Sequence, residues 1–212
     1  MSIENKEEIE QTVRAASETE GELRERVRSL VMKALVDHQT DPEAIRGVMR
    51  DTLAGVGDGL VARGNQANAA LKEAVMGMDE AVGRSVYAVQ MAMEEVWSVG
   101  HRIAETDMKD TVEAVKGLEG DLLSTLKEAS DKTQGWLKGG FADLGLHLAR
   151  TGTDTGAQVR SVMEKLNSRM ANIAVGSGAD SLAAAEQARG RLADLSSGIL
   201  RGLADGIDAQ RK

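Results

Sequence analysis

Apolar residues recur every 11 positions through residues 45–108, and no other feature constrains the fold of this 212-residue chain as much. One row runs Met49, Leu60, Leu71, Val82, Met93 and Ala104. A second runs Leu53, Gly64, Val75, Val86, Trp97 and Met108, and a third Ile45, Val56, Ala67, Met78, Val89 and Gly100. Eleven residues in three turns is about 3.67 per turn, close to a straight α-helix, so the rows stay on one face. The single proline, Pro42, leaves the chain nearly free of the chief helix breaker. The pattern predicts one amphipathic helix over 42–104, roughly 90 Å long at about 1.5 Å per residue. Gly55, Gly57, Gly59 and Gly64 allow a bend or break in it near 55–65.

Ahead of that helix, Ile9, Val13, Ala16, Leu23, Val27, Leu30 and Ala34 keep a four-three spacing, interrupted at Glu20. This is the seam of a bundle or coiled-coil helix, and it predicts an N-terminal heptad helix over 1–39. Between the two, Asp41 suits the N-cap, Pro42 the first helical position and Glu43 the positive end of the dipole. Thr40 with Glu43 offers an alternative capping box.

Shorter helices are expected over 107–150 and 155–210. Val112, Val115, Leu118, Leu122 and Leu126 mark the first, while TQGWLKGGF (133–141) and TGTDTG (151–156) read as breaks. Val159, Val162, Leu166, Met170 and Ile173 carry the next stripe, which ends near GSGAD (176–180). The last consists of Ala188, Leu192, Leu195, Ile199, Leu203 and Ile207. No stretch shows sustained strand alternation. The expected fold is all-α, a single unit built as an elongated helical bundle or long helical hairpins.

Charge and composition narrow the function. The 34 acidic and 26 basic residues leave a net charge of −8, which argues against nucleic acid as a partner. Cysteine is absent, so disulfides and thiolate metal sites are excluded. MSIENKEEIEQ is acidic and lacks the apolar run of a secretory signal, and no stretch is long and apolar enough to be a transmembrane segment. The expected location is cytoplasmic, with association at granule or membrane surfaces as a variant.

No active site offers itself, and no cofactor is expected. His38, His101 and His147 are far apart, and no Glu-x-x-His motif of a di-iron bundle occurs. The acidic pairs Asp79-Glu80 and Glu94-Glu95 suit solvated helix faces better than metal ligation. GVGDG (55–59) lacks the strand before it and the Lys-Ser or Lys-Thr after it that a phosphate loop needs. No G-x-S-x-G elbow appears. Met76, Met78, Met91 and Met93 suit either core filling or adaptable apolar contact.

Packing positions are the candidate interaction residues. On the 11-residue stripe these are Leu71, Val75, Met78, Val82, Val86, Val89, Met93 and Trp97. Near the C-terminus, SSGILRGLADGID places Gly198, Gly202 and Gly206 four residues apart. Each costs about 1 kcal/mol of helix propensity relative to alanine. Close approach of a partner helix would offset that loss. A helix that orders only on binding is the rival explanation.

SLVMKALVDHQTDPEAIRGVMRDTLAGVGDG, TDMKDTVEAVKGLEGDLLSTLKEA and HLARTGTDTG resemble an uncharacterised family of bacterial helical proteins of about this size. More loosely, the chain resembles phasins, which coat polyester storage granules, and the 11-residue amphipathic repeats of apolipoproteins. The first resemblance supplies no catalytic residue. The second implies reversible coating of an apolar surface.

Three readings follow. The first is a non-enzymatic structural protein that self-assembles as a homo-oligomer. The second is a peripheral coat on a granule or neutral lipid, since residues 43–104 hold 6 basic and 8 acidic residues, a poor match to anionic bilayers. The third is a carboxylate-metal helical enzyme.

Overall fold

The computed structural model describes residues 3–18, 22–36, 38, 41–61, 67–98, 105–173 and 194–205. Every regular element among them is a helix: α1 (Ile3–Glu18), α2 (Leu23–Leu35), α3 (Pro42–Val61), α4 (Ala67–Ser98), α5 (Glu105–Lys132), α6 (Gly135–Thr151) and α7 (Asp154–Ile173). Helical backbone is present again over 194–205. The fold is the expected all-α bundle.

Local chemistry sets the boundaries. Asp41 Oδ1 accepts hydrogen bonds from the N–H groups of Glu43 and Ala44, both at 3.1 Å, so α3 opens with Asp41 as its N-cap and Pro42 as its first residue. TQGWLKGGF breaks the chain between α5 and α6, where Gly135 takes φ +62°. TGTDTG breaks it again. Gly152, at φ +86°, donates its N–H to the Leu148 carbonyl at 2.8 Å and ends α6. Thr153 Oγ1 then accepts the Gly156 N–H at 2.7 Å and caps α7.

Two expected helices are each divided. The heptad stretch 1–39 forms α1 and α2, because Glu22 sits in the left-handed region at φ 44° and ψ 31°. The two halves of its seam serve different partners: α1 packs chiefly on α3, and α2 chiefly on α4. The stretch 42–104 forms α3 and α4, divided beyond Val61, at the end of the window in which a bend or break was expected. Gly55, Gly57 and Gly59 cause no break, since α3 runs through them to Val61.

Residue pairings give the directions. Gly55 lies against Glu10 and Val13, and Gly59 against Arg14 and Ser17, so α1 and α3 are parallel. Arg46 pairs with Asp121 and Arg50 with Glu128, so α3 and α5 are parallel as well. Ser130 meets Lys138 and Leu126 meets Gly145, so α6 returns along α5. Further back along α5, Glu119 meets Thr153 and Arg160, so α7 continues the direction of α6. Asp79 meets Asp154 and Glu94 meets Lys165, so α4 runs with α7 and opposite to α3.

All 13 described members of the three 11-residue rows are buried, and they form one continuous core with residues such as Val27, Met32, Leu118, Leu122 and Phe141. The rows stay in phase across two helices that run in opposite directions. Periodicity reports which face is apolar and carries no information about the direction of the next segment.

Candidate functional site

The predicted packing positions on α4 are the centre of the molecule. Leu71, Val75, Met78, Val82, Val86, Val89 and Met93 are each at most 1% exposed. The helix that carries them packs against α2, α3, α5, α6 and α7 of the same chain. The stripe is therefore covered within the chain, and contact with another copy or a surface needs a different face. The side chain of Trp97 lies outside the described residues.

Small-residue packing is present, but at glycines other than the predicted ones. A Cβ on Gly55 would stand 2.5 Å from the Glu10 carbonyl oxygen, and one on Gly59 would stand 2.6 Å from that of Arg14. Gly77 presses against the Arg24 backbone in the same way. These glycines admit α1 and α2 to van der Waals contact with α3 and α4. By contrast, Gly198 and Gly202 are exposed, with no atom within 4 Å of a built Cβ, and Gly206 lies outside the described residues. Ser196, Leu200 and Ala204 are the buried positions of that segment, while Ile199 and Leu203 are half-buried.

Asp79 and Glu80 are structural rather than solvated. Asp79 is 4% exposed, and its carboxylate accepts the N–H groups of Asp154 at 2.7 Å and Thr155 at 2.9 Å. These are first-turn donors of α7 that lack partners within their own helix, so α4 supplies a second cap to α7. The Thr155 hydroxyl donates to the Asp79 carbonyl at 3.1 Å. Burial pushes the Asp79 carboxyl above the ordinary aspartate value, against the hydrogen bonds it accepts.

Glu80 faces α2 instead, where Arg24 and Arg28 both bond to its carboxylate. Burial works against the Glu80 anion, but the two guanidinium groups outweigh it and hold the carboxyl below the ordinary glutamate value. Asp79 stands one position beyond Met78 and one turn beyond Val75, inside the arc of the apolar rows. That phase was the signal that could have revealed its burial.

A cleft of about 520 Å³ opens between α1, α3, α5 and the start of α6. Leu53, Ala54, Gly57 and Leu137 form its apolar part. Lys6 pairs with Glu10 at 3.6 Å, while Arg50 and Lys132 share Glu128 at 3.4 and 3.9 Å. Asp51 also lines the cleft at 4% exposure, and burial pushes its carboxyl above the ordinary aspartate value. Sequence reading missed it, because Asp51 directly precedes two buried residues and resembles an ordinary helix-face charge. Among the described residues, no group of three or more His, Asp or Glu side chains gathers as a metal site. None of the described helices is long and apolar enough to cross a membrane.

The arrangement is that of an all-α bundle in which Asp79 ties α4 to α7 and Glu80 ties α4 to α2. Residues 2–209 match a family described as a family of unknown function (DUF6781), and the chain belongs to that family. No curated protein and no solved structure matches it.

Proposed function

We propose that this protein is a non-enzymatic structural protein that self-associates through helix–helix contacts. The observation that carries the reading is the outward face of α6. At about 100° per residue, Trp136, Gly139, Ala142, Leu146 and Ala149 share a sector of about 140°. All five are exposed, Leu146 by 57% and Trp136 by 37%, while Leu137 and Phe141 on the opposite side are buried. A helix with apolar residues on both faces has one face to spare for a partner.

Charge supports a second copy as that partner. Asp143 and Arg150 are exposed on the same outward face. Two α6 helices packed antiparallel about Leu146 set Asp143 of each copy beside Arg150 of the other, the self-complementary pattern of a two-fold dimer. Light scattering on the full chain tests this. Wild type is expected at twice the 22.5 kDa of one chain, and Leu146→Lys at one. Asp143→Arg should also dissociate, and adding Arg150→Asp should restore the dimer. A monomeric wild type would overturn the proposal.

The alternative is a phasin-like coat on a granule or neutral lipid surface. It needs an exposed apolar stripe, so the bundle would have to open to present the rows of α4. Co-sedimentation with neutral vesicles or polyester particles that persists in Leu146→Lys would favour that alternative.

A further inference from the structure

We infer that the seat of the α1–α2 hairpin on α3 and α4 also accepts the α1–α2 hairpin of a second copy, so that two chains exchange hairpins. The seat is built from α3 and α4 rather than α6, and the inference does not rest on association through α6.

The seat itself specifies its occupant. Arg26 Nη1 donates to the Ala16 carbonyl at 3.3 Å across the turn, so α1 and α2 form a hairpin. Its two helices dock separately, α1 chiefly on α3 and α2 chiefly on α4. Gly55 and Gly59 admit the backbone of α1 at Glu10 and Arg14, and Gly77 admits that of α2 at Arg24. Arg24 and Arg28 then close on the Glu80 carboxylate of α4, Arg28 at 2.7 Å. Three backbone approaches and one ionic clasp fit this hairpin and exclude a bulkier or oppositely charged one. A second copy carries the same hairpin. Each contact made with its own α3 and α4 therefore has an equal on the other chain, which is the condition for reciprocal exchange about a two-fold axis.

The α1 side of the seat is also weakly held. Among the described residues of α1, Val13 and Ser17 are the buried side chains. Ser17 Oγ sits against Gly59 without a hydrogen-bond partner, and so does Thr52 Oγ1, one turn before Gly55 on α3. Buried hydroxyls left unpaired cost stability, and opening the seam returns them to water. Residues 36–41 connect the hairpin to α3. Six residues extend to about 20 Å, enough for the hairpin to swing clear of its own seat. Closed chain and exchanged pair share one set of contacts, so concentration decides between them.

Reversing the ionic clasp in the full chain tests the exchange, with Leu146→Lys added throughout so that α6 contributes nothing. One variant carries Glu80→Arg, and the other Arg24→Glu with Arg28→Glu. Each repels its own hairpin, so each alone should be monomeric with a lowered urea midpoint. Refolded together in equal amounts, each hairpin meets the opposite charge on the other chain. Light scattering should then give twice the 22.5 kDa of one chain, and the midpoint should rise again. All three clasp substitutions in one chain should also restore the midpoint. A mixture that stays monomeric while this triple variant folds would overturn the inference. If the triple variant does not fold, the Leu146→Lys parent decides. Refolded from urea at rising concentration it should yield a growing dimeric fraction, and monomers at every concentration would overturn the inference equally. A monomeric wild type defeats the α6 reading and leaves this one standing.

Discussion

Asp79 and Glu80 are neighbours in sequence with opposite responses to acid. Glu80 is held below its ordinary value by Arg24 and Arg28, so its ionised form binds the folded state better than the unfolded one. Its contribution is full above the ordinary glutamate value and is lost as pH falls through the lowered one. The Asp79 carboxyl is raised, so the folded state takes up that proton first, and stability from this group declines as pH rises through the window above the ordinary aspartate value. We predict that Glu80→Gln lowers stability at neutral pH and flattens the loss on acidification. Urea melts from neutral pH into the acid range check this, and an acid limb as steep as that of wild type would refute it. Neither role was legible in the paired acidic letters. Each depends on a residue more than 50 positions away, Arg28 for Glu80 and Asp154 for Asp79.

Helices were legible where their signals are local. Asp41 and Pro42 start α3 as expected, and Gly152 with Thr153 separates α6 from α7. A bend or break near 55–65 was expected in 42–104, but the reversal of direction between α3 and α4 was hidden, since an in-phase apolar row looks the same in one helix or in two. The glycines of α3 were hidden for the same reason: a glycine that loosens a helix and one that seats a neighbour share one letter. The structure separates them. Gly55→Ala and Gly59→Ala should each destabilise the fold by about 1–2 kcal/mol, because overpacking outweighs a propensity gain of about 1 kcal/mol. Gly120→Ala on α5, with no atom within 4 Å of the new Cβ, should stabilise by up to about 1 kcal/mol. Denaturation midpoints of the three variants decide it, and equal shifts in one direction would contradict the seating role.

At the scale of the whole molecule, α4 touches five of the other six named helices, whereas α1 touches chiefly α3 and then α2. Backbone amides between Leu71 and Met93 should therefore exchange slowest with deuterium, opening only with global unfolding, while α1 exchanges faster by local detachment. Protection of α1 equal to that of α4 would show that the glycine-faced seam opens only with the whole bundle. The core was readable as a set of apolar positions; its wiring was not, because α1 skips its neighbour to pair with α3 and α2 skips α3 to pair with α4. That interleaving has a consequence for biosynthesis. Gly55 meets Glu10 and Gly77 meets Arg24, contacts that close loops of about 45 and 53 residues. A ribosome working from the N-terminus delivers α1 before its berth on α3 exists, and α2 before its berth on α4. Val13 is therefore made before the α3 surface that buries it, and Val27 before that of α4, so the order of synthesis sets the order in which these two apolar side chains can be covered.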